Sequence, residues 1–286
     1  MGRGARALAF SGASAHLSGM SLFSFLRRRT SAGAASQSAP RGPVVFDPPQ
    51  PDRPVYVVGD IHGRIDLLDR LLALIETDAA TLEQPAAPML VLVGDYIDRG
   101  DDSAAVLSRA FALQTERPDS VVCLMGNHEK MMLDFIDTPD RGPRWLRNGG
   151  LQTLMSLGLG GILADGTSEE ELAALSVDLH RALPDGIEDW LRGLPLVWNS
   201  GNLWVTHAGA DPSVAMPDQT RRVMLWGHRD FNAVPRQDGQ WVAHGHFVFD
   251  TPSAKDGRIA TDTGGVYTGR LTAARILPGA VSFLST

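Results

Sequence analysis

Residues 89–100 read Met-Leu-Val-Leu-Val-Gly-Asp-Tyr-Ile-Asp-Arg-Gly. The apolar run from Met89 to Val93 has the length and content of a buried strand. It halts at Gly94, and Asp95, Asp98 and Arg99 follow before Gly100 closes the segment. A strand that empties into a glycine-bounded cluster of charge delivers side chains to the sheet's carboxyl edge, where α/β folds place ligands. The pattern recurs on both sides of this stretch. Val55 to Val58 leads into Gly59-Asp60-Ile61-His62-Gly63, and Val121 to Met125 leads into Gly126-Asn127-His128-Glu129. One such turn is ordinary strand-ending chemistry, since Gly and Asp are common there. Three in series, with two histidines among them, point to a metal. Asp, Asn and His offer oxygen and nitrogen donors suited to manganese, iron or zinc, and glycine lets the backbone come close to an ion.

The segments between these loops are helical. Leu67, Leu68, Leu71, Leu72 and Ile75 recur at helical spacing, which predicts an amphipathic helix over 64–77. Ser103 is placed to cap a second helix over 104–115. The order is β-α-β-α-β, a parallel sheet with right-handed crossovers that sets all three glycine loops on one edge. Residues 129–193 read as a helical insertion beside the site. Its candidate helices are 131–136, 151–157, 168–183 and 187–194, separated by Gly149-Gly150 and Gly158 to Gly161. From Pro195 the period returns to that of strands. Leu196 to Trp198 and Leu203 to Val205 flank Asn199-Ser-Gly-Asn202, a hairpin signal. The second strand ends at His207-Ala-Gly209, and Trp241-Val-Ala precedes His244-Gly-His246. Short strands near Ile259 and over 271–277, and an edge strand over 281–284, suggest a second sheet packed on the first with helices outside.

The chain has 286 residues and a formal charge of -7, which argues against non-specific nucleic-acid binding but not against a phosphorylated ligand. Its single cysteine, Cys123, lies in an apolar run and reads as a core thiol, in keeping with a reducing, cytoplasmic setting. Residues 1–54 differ from the rest, with no acidic residue before Asp47. The patch from Met20 to Leu26, followed by Arg27-Arg-Arg29, is too short to span a bilayer, so no stable membrane insertion is expected. A transit peptide, a weak surface anchor and a start at Met20 stay open. The expected reading is a disordered leader ending in a proline-rich linker over 40–54, with a folded domain over 55–286.

Taken together, 59–63, 94–100, 126–129, 207–209 and 244–246 resemble the metallophosphoesterases. More narrowly they resemble the bacterial and bacteriophage lambda form of the phosphoprotein phosphatases, over residues 54–278. The resemblance implies a four-layer β-sandwich flanked by helices, with two divalent ions between the strand-end loops: manganese first, with iron, zinc or nickel as alternatives. Carried over by motif, Asp60 and His62 are implied ligands of one ion. Asn127, His207 and His246 are implied ligands of the other, with Asp95 bridging both. His128 is the implied general acid, oriented by Asp98, and Arg99, Asn127 and Arg229 are implied contacts of the substrate phosphate. His244, alternating with His246, is expected behind the ligands.

The resemblance has departures. Phe247-Val248 stand where bacterial members usually carry Thr-Pro. The arginine expected two residues past Trp226 falls at Arg229 only after a one-residue shift, which leaves His228, Arg221 and Arg222 as alternatives. Asn148-Gly-Gly150 after Trp145 also recurs in bacterial members, without a readable role, and Asp262-Thr-Gly264 reads as structural. The implied activity is phosphomonoester hydrolysis on a phosphorylated protein, by in-line attack of a metal-bridging hydroxide. Diadenosine tetraphosphate hydrolysis is a second enzymatic reading, and a non-catalytic scaffold on a phosphatase fold is a reading of another class.

Overall fold

Two mixed sheets of five strands, packed face to face, carry the molecule in this computed structural model, which describes residues 46–83, 87–160 and 168–286. The first half supplies β1 (Val55–Val58), α1 (Ile65–Ala79), β2 (Met89–Leu92), α2 (Ser103–Glu116), β3 (Val121–Cys123) and α3 (Asn127–Asp137). The insertion adds α4 (Gly142–Trp145), α5 (Leu151–Ser156), α6 (Glu169–Ala182) and α7 (Ile187–Gly193). Then come β4 (Val197–Ser200), β5 (Leu203–Thr206), α8 (Arg221–Trp226), β6 (Trp241–His244), β7 (Ser253–Lys255) and β8 (Arg258–Ala260). The chain closes with α9 (Gly265–Thr268), β9 (Thr272–Leu277) and β10 (Ala280–Ser285).

Strand order is β10-β9-β1-β2-β3 in one sheet and β4-β5-β6-β8-β7 in the other. Alternation along β1 explains the layering. Val55 and Val57 meet Leu203, Val205, Ala243 and Ile259 between the sheets, whereas Tyr56 and Val58 face the helices. The late strands do not all build the second sheet, as the sequence suggested. β9 returns to pair antiparallel with β1, and β10 continues from it as the edge. Short antiparallel strands look alike in sequence whichever sheet they join, because their register is set by partners far away.

Register places the loops. Val58 pairs with Leu92, and Leu92 with Cys123, in parallel ladders, so β1, β2 and β3 end level with one another. In the second sheet β5, β6 and β8 are also parallel, with Val205 against Ala243 and His244 against Ala260. Their carboxyl ends therefore bring His207, His246 and Asp262 to a common edge as well.

Residues 1–45 of the expected leader lie outside the described residues. The remainder, Phe46 to Pro54, differs from a free linker. Phe46 packs edge-on against Trp241 with ring centroids 5.7 Å apart, and Trp241 Nε1 donates to Asp47 O at 2.7 Å. Asp52 N donates to Ser200 Oγ at 2.8 Å. Proline-rich composition suits such a strap because fixed φ angles leave little entropy to lose. No described helix is long and apolar enough to cross a membrane.

Candidate active site

Backbone bonds stitch the first two glycine loops together. Ile61 N and His62 N both donate to Asp95 O, at 3.1 and 2.9 Å, and Gly63 N donates to Tyr96 O at 2.8 Å. Gly94 has φ +108°, and a Cβ there would lie 2.4 Å from Gly126 N, so only glycine lets the second and third loops touch. Six non-glycine residues among those described have φ in the left-handed region, and five of them are His62, Asp95, Asp98, Arg99 and His246. Such backbone strain persists only where surrounding structure enforces it, and it collects at functional sites.

The buried side chain of Glu129 is one enforcer. Its carboxylate accepts from Asp95 N at 2.9 Å, Tyr96 N at 2.8 Å and Gly126 N at 2.9 Å. The apolar spacing predicts a helix from Met131, whereas α3 begins at Asn127 and takes Glu129 into its first turn. The signal was there: a Glu three residues after a helix-starting position reaches back to cap it. Ser103 differs too. It does not cap α2, because its hydroxyl accepts from Asp98 N at 3.0 Å.

Donor atoms converge in two groups that share Asp95: His62, Asp95 and His128, and Asp95, His207 and His246, the atoms of each lying within 4.8 Å of one another. Asp95 Oδ2 is 3.6 Å from His62 Nε2 and 3.4 Å from His207 Nε2. Asp60 stands beside these groups, both its oxygens accepting from His246 N at 3.0 and 3.1 Å. His62 Nδ1 is 2.7 Å from Ile97 O and His207 Nδ1 is 3.1 Å from Val93 O. A carbonyl cannot donate, so each Nδ1 carries the proton and each Nε2 presents a lone pair, the tautomer that ligation needs. His207 Nε2 lies only 2.8 Å from Asn127 Oδ1. Two acceptors that close fit a cation between them, or an amide turned the other way.

The electrostatics fit a cation as well. Burial, then the charges of Asp262 and Asp95, push the Asp60 carboxyl well above its ordinary range. Burial holds His62 down at about 3 and His246 at about 4, keeping both imidazoles neutral and able to ligate. These residues suit a pair of divalent ions.

The second function of the site gathers around Asp98. His128 Nδ1 donates to Asp98 Oδ2 at 2.6 Å. Burial alone would lower the His128 pKa, but Asp95 and then Asp98 outweigh it and hold it above the usual value. Two residues of the insertion complete the cage: Trp145 Nε1 donates to Asp98 Oδ2 at 2.9 Å, and Thr153 Oγ1 to Asp98 Oδ1 at 2.6 Å. Gly149, with φ +106°, accepts from Arg99 N through its carbonyl at 3.2 Å. Arg99 spans the cleft, reaching His62 Nε2 at 2.7 Å and His128 Nε2 at 2.9 Å.

Not every expected residue arrives. Arg229 is 88% exposed and pairs with Asp230 at 3.5 Å instead of turning inward; the shift past Trp226 carries it to the surface. His228 pairs with Asp211 at 3.6 Å. His244 faces the outer side of its strand, against Phe231. Asp262, read as structural, is 3% exposed and sits with Asp60 and Asp95, its carboxyl pushed up to about 6 by burial and by Asp95.

A family model described as calcineurin-like phosphoesterase matches residues 53–256. A symmetrical bis(5'-nucleosyl)-tetraphosphatase of Acidovorax sp. (strain JS42) is 35% identical over 144 residues, which are 42% of this chain and 48% of that protein. The chain thus spans about half the length of such curated relatives. Serine/threonine-protein phosphatase 2 of Escherichia coli (strain K12) is 27% identical over 228 residues, 77% of this chain and 91% of that one. A solved diadenosine-tetraphosphatase-like structure superposes with a TM-score of 0.55 at 21% identity, covering 84% of this chain and 98% of its own, a likeness of fold.

Proposed function

The chain belongs to the calcineurin-like phosphoesterases, and from that membership and the geometry of its site we propose that it hydrolyses phosphate monoesters of serine or threonine in proteins. The observation that carries this reading is the buried pair of His128 and Asp98, 2.6 Å apart. A serine or threonine oxygen leaves as a strongly basic alkoxide and needs a proton in the transition state. A nucleotide leaving from a polyphosphate is far less basic and needs little such help. Coverage of 91% of a bacterial serine/threonine phosphatase, against 48% of the tetraphosphatase, supports the same choice.

In this reading Asp60, His62 and Asp95 would hold one divalent ion, and Asp95, Asn127, His207 and His246 would hold the other. Bound ions supply charge that gathers the phosphate oxygens and makes a water nucleophilic near neutral pH. The chain does the rest. Ile97 O and Val93 O fix the tautomers of His62 and His207. Arg99 turns its planar fork on the phosphate, where paired N–H groups oppose developing charge. With Arg99 turned from it to the phosphate, His128, held by Asp98 and favoured in its charged form by Asp95 and Asp98, gives its Nε2 proton to the leaving oxygen.

The test is steady-state turnover of the manganese-loaded protein on a phosphoserine peptide beside bis(5'-adenosyl) tetraphosphate. The expected result is a higher kcat/KM on the peptide. Preference for the tetraphosphate would hand the site to the second reading.

A further inference from the structure

In a chain of net charge -7, residues 141–160 and 219–229 contain no Asp or Glu but carry Arg141, Arg144, Arg147, Arg221, Arg222 and Arg229. All six are exposed. Among the described residues only Arg229 has a carboxylate within ion-pair distance. A surface arginine is ordinarily balanced by neighbouring acids in an acidic protein, so an unbalanced set on two adjoining segments is a directed positive field.

The two segments meet, and they meet at the site. Arg144 stacks over the Trp226 ring at 4.5 Å, joining α4 to α8. Trp145, next to Arg144, is bonded to Asp98, and Gly149, two residues past Arg147, is bonded to Arg99. On the other segment Arg221 Nη2 lies 3.2 Å from Met125 Sδ, two residues before Asn127. Met224 O accepts from Ala208 N at 2.8 Å, beside His207. Arg144, Arg147 and Arg221 therefore border the loops that carry His128, Asn127 and His207. From Arg221 a groove of about 250 Å³ continues past Met125, Lys130 and Leu133 to Arg192 and Asp137.

We infer that this arginine rim recognises acidic residues flanking a phosphorylated serine or threonine, with the peptide lying along the groove, whose Lys130 and Arg192 are already paired with acids. The inference rests on the protein-phosphatase reading above and deepens it. Length favours a polypeptide over a phosphate chain. The groove follows α3, whose 11 residues span about 16 Å, the reach of roughly five extended residues. Charge favours an acidic one. Exposed pairs are individually weak, so the selectivity comes from several together and fades with salt.

Two phosphoserine peptides that differ only in flanking residues, glutamates in one and glutamines in the other, test this. At low ionic strength the glutamate peptide is expected to show a kcat/KM about tenfold higher, mostly through KM, with the advantage shrinking toward unity in about 0.5 M salt. The triple variant R144Q/R147Q/R222Q is expected to bring the ratio of the two peptides near one; because both peptides are measured on the same protein, any general loss of activity cancels. Equal turnover of the two by the wild type, or a ratio that survives in the variant, would overturn the inference while leaving the phosphatase reading intact. Hydrolysis of an aryl phosphate with no turnover of either peptide would overturn both.

Discussion

At Asp98 three donors from separate segments converge on one carboxylate: the His128 imidazole, the Trp145 indole and the Thr153 hydroxyl. His128 and Asp98 were legible in sequence because both lie in glycine-bounded loops at strand ends, and the family resemblance implied their roles. Trp145 and Thr153 were not, since they lie 47 and 55 residues from Asp98 and only the folded insertion brings them there. Removing the indole donor by Trp145→Phe is expected to lower kcat on a phosphoserine peptide about tenfold while changing turnover of 4-nitrophenyl phosphate far less. Aryl leaving groups need little protonation, so an equal fall on both substrates would mean general damage and not a loss of positioning. A second prediction concerns protons. Asp60 is raised well above its ordinary value and Asp262 to about 6, so the metal-free folded state binds their protons more tightly than the unfolded chain does. That contribution to stability is complete below the ordinary carboxylate pKa and is lost as pH rises through about 6. Divalent ions compete for the same oxygens, so the gain in Tm on adding Mn²⁺ should be larger at pH 8 than at about pH 5. A gain that does not change with pH would contradict the assignment.

At the scale of elements, the parallel core was readable because β1, β2 and β3 are continuous apolar runs separated by amphipathic helices. The placement of β9 and β10 was not, because nothing within six residues says which sheet a strand will join. The turn between α4 and α5 shows the same limit at a functional position. Asn148-Gly-Gly150 could be seen to break a helix, but its purpose is a contact with Arg99. A Cβ at Gly149 would stand 2.6 Å from Arg99 N, on a backbone with φ +106°. Gly149→Ala should therefore cost about 1–3 kcal/mol in urea unfolding and lower kcat by displacing Arg99. Unchanged stability together with unchanged kcat would show that the insertion does not clamp this loop. On the outer end of the insertion, Arg192 bridges Asp137 at 2.7 Å and Glu188 at 2.7 Å. The hydrogen bond from Arg192 holds the Asp137 carboxyl below its ordinary value, so the contribution of this tie is present above that value and fades as pH falls through the lowered one.

At the scale of the molecule, two sheets deliver their carboxyl ends to one edge, and six polar groups from five turns meet there. Asp60, Asp95 and Asp262 crowd a largely buried space that their own repulsion would open. Divalent ions are the counter-charge such a space requires, and Asp95, common to both donor groups, is its centre. The most direct test is anomalous diffraction from crystals grown with Mn²⁺, for the wild type and for Asp95→Asn. The expected result is two manganese peaks flanking the Asp95 carboxylate in the wild type, with at least one lost in the variant. A single peak away from Asp95, or two peaks that persist undiminished in the variant, would contradict the shared-carboxylate centre.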